Sequence, residues 1–148
     1  MRATPVFEEN EIMLTLFTIA MVALQATTDA GHHSSHFAKC ARTCGECAGA
    51  CDSCFKHCLT LAGKGKEEHA KTAQYCVDCA ECCKACASLC DRQSPLAGHM
   101  LACCAACCDD CAKSCESMPD DKHMAECAKT CRDCAKECRE MAKMVHAG

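Results

Sequence analysis

The chain has 148 residues, a formal net charge of −4 and no basic run, so nothing in its composition indicates a nucleic-acid-binding surface. It contains 22 cysteines, whereas aromatic residues make up only 3% of the chain and tryptophan is absent. The length suits a single domain, but the bulky side chains that usually fill a core are scarce. We therefore expect bound metal to help hold the interior together.

An apolar run occupies residues 12–24, near the N-terminus. It is too short to span a bilayer comfortably and has the length of the hydrophobic region of a signal peptide. Only one basic residue, Arg2, precedes it, and neither Ala26 nor Ala30 stands in a clear cleavage site. We interpret residues 1–30 as an apolar segment that is either a signal peptide or an extra helix; a misplaced start codon is a third reading.

A polar stretch with His32, His33 and His36 follows, and residues 31–36 are predicted to be a linker. These histidines could pass a metal ion inward, or they could belong to a solvated tail.

Residues 37–146 are predicted to form the main domain, and its helices have clear start and stop signals. Gly63 and Gly65 should end the first helix. Ser94 followed by Pro95 is typical of an N-cap with proline at the first helical position, and Pro119 separates the last two helices. The expected spans are Ser35 to Ala62, Lys66 to Arg92, Pro95 to Ser117, and Asp120 or Asp121 to His146.

Helices joined by such short turns must lie antiparallel to their sequence neighbours. The predicted fold is therefore all-α: an up-down-up-down antiparallel four-helix bundle with a cysteine-lined core, preceded by the apolar N-terminal segment.

One cysteine pattern occurs in every predicted helix, as CARTCGECAGAC, CAECCKACASLC, CAACCDDCAKSC and CAKTCRDCAKEC. The spacing alternates four and three residues, so each helix carries its thiols on one face. The stripes comprise Cys40, Cys44, Cys47, Cys51, Cys54, Cys58, Cys76, Cys79, Cys83, Cys86, Cys90, Cys104, Cys108, Cys111, Cys115, Cys127, Cys131, Cys134 and Cys138. Cys82, Cys103 and Cys107 fall beside the stripes and widen them toward a neighbouring helix. The opposite faces carry charged residues, as a solvated surface requires.

Thiols three or four residues apart can offer two sulfurs to one ion without distorting the helix. Thiolates select soft ions, namely Cu(I), Zn(II) or the iron of iron–sulfur clusters. About five tetrahedral Zn(II) sites would each carry a net charge of −2, and burying that much charge is costly. Cu(I) accepts low coordination and shared sulfurs, so the core can become nearly neutral. We therefore expect multiple Cu(I) ions, bound by all 22 cysteines.

Other uses of the cysteines remain open at this point. Iron–sulfur motifs wrap a cluster with loops and usually place a proline after the last cysteine, whereas no proline follows a cysteine here. Disulfides are disfavoured because cysteines on one helix face point apart. An iron–sulfur or dithiol redox protein and a metallothionein-like sink for zinc or cadmium are the alternatives. Isolated buried cysteines would be ordinary small apolar residues, but aligned stripes are not.

Methionine and histidine should gather at the bundle ends. His69, Met118, His123 and Met124 are predicted at one end, where thioether and imidazole could admit copper weakly and pass it on. Methionine also fills irregular gaps in ordinary cores, which is the plainer explanation. The opposite end should hold Met100, Met141, Met144, His99 and His146.

Motifs typical of enzymes are missing. We find no Ser/His/Asp constellation, glycine-rich phosphate loop or pair of catalytic carboxylates, so we do not expect an enzyme. Cys58 beside His57 could suggest a nucleophile and its base, but with so many thiols such a neighbour is expected by chance.

Over residues 37–145 the four repeats resemble those of the bacterial cysteine-rich four-helix-bundle copper storage proteins. The resemblance implies that core cysteines bind many Cu(I) ions, commonly in a homotetramer, for detoxification or for supply to copper enzymes. It also implies copper donor or acceptor proteins as partners. We expect no nucleic acid, because the chain has no basic run, and no stable membrane insertion of the mature domain, because the apolar run is short. Exported and cytosolic forms exist in that family, so the chain would be exported or periplasmic if residues 1–30 are a signal peptide and cytoplasmic otherwise.

Overall fold

The computed structural model describes the backbone of residues 9–146 and the side chains of residues 34–145. Within that part, four helices and no strand are formed: α1, Glu9–Ala62; α2, Glu68–Asp91; α3, Ala97–Glu116; and α4, Lys122–His146. The chain divides into two compact units, Met1–Ser35 and His36–Gly148, and every cysteine belongs to the second. Among the described helices, none is both long and apolar enough to cross a membrane.

Helix α1 begins at Glu9 instead of near Ser35, so the backbone of residues 31–36, where we predicted a linker, is helical. The physical reason is that no proline occurs between residues 9 and 62. A single glycine at position 31 costs a helix only about 1 kcal/mol, too little to stop it. The side chains of His32 and His33 lie outside the described residues. The division into an N-terminal segment and a bundle, and the signal-peptide interpretation, stay predictions.

Sulfur contacts show how the helices run. Between α1 and α4, Cys44 Sγ lies 3.6 Å from Cys138 Sγ and Cys51 Sγ lies 3.5 Å from Cys131 Sγ. Numbers rise along one helix as they fall along the other, so these helices are antiparallel. The contacts between α2 and α3 follow the same rule.

Helices α1 and α3, which lie diagonally across the bundle, run in the same direction. Cys47 Sγ lies 3.9 Å from Cys108 Sγ, and Cys51 Sγ lies 4.0 Å from Cys111 Sγ. Numbers rise together along α1 and α3, which are therefore parallel. Antiparallel neighbours with a parallel diagonal define an up-down-up-down bundle, which confirms the predicted fold.

The turns between helices show which of the predicted residues end one helix or cap the next. After α1, Gly65 has a φ of +87°, a conformation that glycine adopts without the steric cost of a Cβ. Asp121 caps α4, because its Oδ1 accepts hydrogen bonds from the backbone N–H of His123 at 3.0 Å and of Met124 at 3.4 Å.

The start predicted for α3 at Pro95 is wrong, since the helix begins at Ala97. Pro95 and Leu96 form a separate turn in which the Leu96 N–H donates to Ser94 Oγ at 3.3 Å and the Ala97 N–H donates to the Ser94 carbonyl at 2.9 Å. The Ser94 hydroxyl thus stabilises a turn and not the helix itself.

The core consists mainly of cysteine and alanine. Its largest fully buried apolar side chains are Leu101, Met124 and Met141. Phe37, Met118 and Val145 pack against the core while remaining partly exposed. Large apolar residues thus close the ends of the bundle, and thiols fill its middle.

Candidate metal centre

All 22 cysteines are free thiols, and all but three are buried. Each buried one exposes 3% or less of its surface. We call this set the sulfur column; it comprises Cys40, Cys44, Cys47, Cys51, Cys54, Cys58, Cys76, Cys79, Cys83, Cys86, Cys90, Cys104, Cys108, Cys111, Cys115, Cys127, Cys131, Cys134 and Cys138.

Alanine brings the helices close enough for the sulfurs to meet. A buried alanine directly follows a column cysteine at seven positions: Ala41, Ala48, Ala80, Ala105, Ala112, Ala128 and Ala135. Because the distance between packed helices depends on the side chains at their contact, a methyl group there permits close approach. Thiols on different helices consequently lie 3.5–4.0 Å apart within the column.

The column contains groups of four sulfurs that all lie within 4.8 Å of one another. Four sulfurs held about 2.3 Å from one ion would be about 3.8 Å apart, so the contacts within the column fit a soft metal ion. Five such groups are Cys44, Cys86, Cys104 and Cys138; Cys47, Cys51, Cys79 and Cys131; Cys47, Cys83, Cys108 and Cys134; Cys51, Cys111, Cys127 and Cys131; and Cys54, Cys76, Cys115 and Cys127.

These groups overlap. Cys47, Cys51, Cys127 and Cys131 each belong to two of the five. Neighbouring groups therefore cannot each bind an ion through four unshared sulfurs. If every group binds an ion, some sulfurs must bridge two ions. Overlap favours an ion that accepts few ligands and shared ones.

The charge balance of the core favours a singly charged ion. Among the described residues, the buried polar or charged side chains are His69 and Thr72, so no lysine or arginine is buried beside the thiols. Thiolates in this column can be neutralised only by protons or by bound cations, since an isolated buried charge is very costly. A cargo of singly charged cations would cancel the thiolates one for one.

Protons are shared along the column in the metal-free chain. Hydrogen bonds from Cys138 and Cys44 lower the pKa of Cys40 to about 5. Hydrogen bonding with Cys104, Cys134 and Cys138 raises the pKa of Cys44. A thiolate is therefore stabilised by neighbours that keep their protons, and complete ionisation of the column requires metal.

The sulfur column ends beside methionine and histidine. Met124 is fully buried, and its Sδ lies 3.5 Å from Cys54 Sγ and 3.7 Å from Cys58 Sγ. Burial raises the pKa of Cys58 to about 12, so this last thiol of α1 holds its proton until a metal ion replaces it.

A surface pocket of about 490 Å³ lies at this end. We call it the end pocket; it is lined by Lys66, Glu68, His69, Ser117, Met118, Pro119, Asp120, Asp121 and Lys122. His69 is buried, and its Nδ1 has no hydrogen-bond partner among the described atoms. A nitrogen of this kind is free to bind a soft cation.

Sequence reasoning missed the part that His57 plays at this end. Its Nε2 lies 2.7 Å from Asp121 Oδ2, and its ring stacks on His123 with centroids 4.5 Å apart. Burial alone would raise the pKa of Asp121, but hydrogen bonds from His57 and from the backbone N–H groups of Met124 and His123 lower it overall. The sequence indicated only that His57 lies near the C-terminal end of α1, and its contacts with the start of α4 depend on how the helices pack.

The structure thus brings His69, Met118, His123 and Met124 to one end of the bundle, next to His57. At the opposite end, Met141 is buried, Met100 and Met144 are partly buried and His99 is exposed. The side chain of His146 lies outside the described residues.

Cys82, Cys103 and Cys107 lie outside the column. Cys82 and Cys107 are partly exposed, with their sulfurs 3.1 Å apart, and Cys103 is exposed. Their positions beside the helical stripes account for this placement.

A sequence profile described as copper storage protein matches residues 20–143. The chain belongs to the copper storage protein family. This confirms the resemblance expected from the four cysteine repeats, and the match extends beyond them into the N-terminal part of α1.

Solved structures agree with the family assignment. The Cu(I)-bound copper storage protein BsCsp3 is 30% identical, with a TM-score of 0.67 over 72% of this chain and 98% of that one. A cytosolic copper storage protein from Streptomyces lividans, in a structure described as loaded with five coppers, is 29% identical, with a TM-score of 0.68 over 76% of this chain and 97% of that one.

A protein from Nitrosospira multiformis is 33% identical, with a TM-score of 0.50 over 70% of this chain and 97% of that one. No curated protein sequence matches the chain.

Proposed function

We propose that the chain stores Cu(I) in the sulfur column, buffering the ion and releasing it to partner proteins. The single observation that carries this proposal is the column itself: overlapping groups of buried thiols with no buried basic side chain among the described residues. Family membership and the Cu(I)-bound relative support it.

Charge decides in favour of Cu(I) over a divalent ion. With tetrahedral coordination, the 22 thiols could hold only about five Zn(II) ions, each leaving two negative charges that no buried cation offsets. One Cu(I) per thiolate leaves the core neutral, and bridging sulfurs suit the overlap of the groups. The column cysteines are therefore our proposed ligands.

We propose that Cu(I) enters and leaves the sulfur column through the end pocket. Met124 connects the pocket side of the bundle with Cys54 and Cys58, and His69 presents an unpaired nitrogen nearby. Thioether and imidazole bind Cu(I) less tightly than thiolate, so they can accept an ion and pass it to the column. The role is non-enzymatic, with other copper proteins as donors and acceptors and a homotetramer as the expected assembly.

An anaerobic titration tests the proposal. The reduced chain would be titrated with Cu(I) against a chelator of known affinity, while charge-transfer absorption in the near ultraviolet is followed. We expect a plateau well above the about five ions that tetrahedral sites allow, with no visible colour. A plateau of a few ions, or a brown product typical of iron–sulfur clusters after iron reconstitution, would contradict copper storage.

Zn(II) titration is the matched comparison on the same protein. If the column selects Cu(I), zinc should bind in smaller number and should be displaced completely by Cu(I). Persistent zinc in the presence of excess Cu(I) would favour the metallothionein-like alternative.

A further inference from the structure

The three cysteines outside the column form a cluster of their own on the flank of the bundle. Cys82 on α2 and Cys107 on α3 have sulfurs 3.1 Å apart, and Cys103 lies one turn before Cys107 on α3. We call these residues the flank thiols. They are the only cysteines that are not buried.

The flank thiols stand in a fixed relation to the column. Each directly precedes a column cysteine, namely Cys83, Cys104 and Cys108. Those three also lie together, because Cys83 Sγ is 3.6 Å from both Cys104 Sγ and Cys108 Sγ. The interface of α2 and α3 therefore carries two layers of three thiols, one buried and one facing solvent.

We propose that the flank thiols form a separate, solvent-facing site for one Cu(I) ion that exchanges with external thiol ligands. This proposed site depends on the proposed storage function only in taking the bound ion to be Cu(I). The adjacent sulfurs of Cys82 and Cys107 can bind one cuprous ion, and Cys103, one helical turn from Cys107, is near enough to add a third sulfur. Because Cys103 is exposed, it can leave the ion and return as an incoming ligand arrives. An ion bound here is accessible to another protein without passing through the end pocket.

A disulfide between Cys82 and Cys107 is the competing use of this geometry. Cu(I) binding needs no oxidant, because the ion displaces the thiol protons, one proton leaving for each thiolate formed. The third thiol would also have no role in a disulfide.

The test compares the reduced full-length chain with the variant Cys82→Ser/Cys103→Ser/Cys107→Ser, using Ala106→Ser, an exposed position on α3 that carries no thiol, as the matched control. Chains saturated with Cu(I) would be mixed with a chelator, and release would be followed in time. We expect the wild type and Ala106→Ser to release about one ion per chain in a fast phase. The triple variant should lack that phase and bind one ion fewer at saturation.

A second measurement needs no variant. Brief alkylation with iodoacetamide, read by mass spectrometry, should label Cys103 first in the metal-free chain and none of the flank thiols in the saturated chain. Equal capacity and equal release kinetics in the wild type and the triple variant would overturn the site. So would continued labelling of Cys103 at saturation, or a mass lower by two hydrogens, which shows a disulfide.

The outcomes separate this inference from the proposed storage function. If the column does not store copper, the wild type and both variants will all plateau at a few ions. If only the flank site fails, capacity will remain high and the triple variant will be indistinguishable from the wild type.

Discussion

Replacement of Met124 separates the structural and the functional roles of the end of the column. Among the described side chains, Met124 is one of three large apolar ones that are fully buried, and its sulfur contacts Cys54 and Cys58. Met124→Ala removes buried volume that short thiols and alanines cannot refill, so we expect a loss of about 2–5 kcal/mol in the stability of the metal-free chain. Met124→Leu keeps the volume and removes only the sulfur, so its cost should stay below about 1.5 kcal/mol.

Thermal unfolding of the reduced, metal-free variants measures these costs. At a shift of about 2–4 °C per kcal/mol for a chain of this size, Met124→Ala should melt about 4–20 °C lower. Stopped-flow loading, followed by the charge-transfer absorption of Cu(I) thiolate, measures the second role. Met124→Leu should load more slowly than the wild type but reach the same number of ions, because the column cysteines are intact.

Two results would refute this reasoning. If Met124→Leu loads at the wild-type rate, the thioether is not on the path to Cys54 and Cys58. If Met124→Ala melts at the wild-type temperature, the core at this end does not depend on the packing of its few large side chains.

Three further predictions concern single positions. Gln93 follows α2 with a φ of +49°, and the backbone N–H of its neighbour Ser94 closes the helix end by donating to the Leu89 carbonyl at 2.9 Å. Gln93→Gly and Gln93→Ala both remove the side-chain amide and only alanine keeps a Cβ, so the glycine variant should be the more stable of the two by about 0.5–1 kcal/mol in urea unfolding, and equal stability would contradict the strain. The lowered pKa of Asp121 means that its carboxylate contributes stability above the unfolded value of 3.8 and loses it as the pH falls through the lower folded value. Asp121→Asn should therefore flatten the stability curve below about pH 4, whereas an unchanged curve would exclude this contribution. Arg132 forms ion pairs with Glu116 at 2.7 Å and with Asp109 at 2.9 Å on the surface. Arg132→Ala should lower the free energy of unfolding by less than about 1 kcal/mol, and by less still in 1 M salt. A larger loss of stability that does not depend on salt would indicate that Arg132 acts through packing instead of charge.

The cysteine periodicity predicted most of the bundle because one pattern defines both the helix face and its burial. The alternation of four and three places Cys44 and Cys51 on one stripe, and the structure buries both against α4. Cys82, Cys103 and Cys107 break the alternation and are the thiols that reach solvent.

Features that depend on several elements at once could not be read from one pattern. Ser94 and Pro95 satisfy the rule for a helix start, but the rule does not distinguish a capped helix from a capped turn. Residues 31–36 looked like a linker from composition, although helix α1 continues through them. His57 needed the packing of α1 against the start of α4 before its contacts with Asp121 and His123 could be seen.

The seven alanines that follow column cysteines bear on capacity without being ligands. They lie where helices touch, and their small size sets how far apart opposing sulfurs stand. A larger residue at Ala80 or Ala135, both fully buried, would push the helices apart and deprive bridging ions of a ligand from the facing helix. The number of Cu(I) ions that the chain can hold therefore depends partly on the small size of these alanines. Larger residues at the alanine positions should lower the number of ions bound, although every thiol is still present.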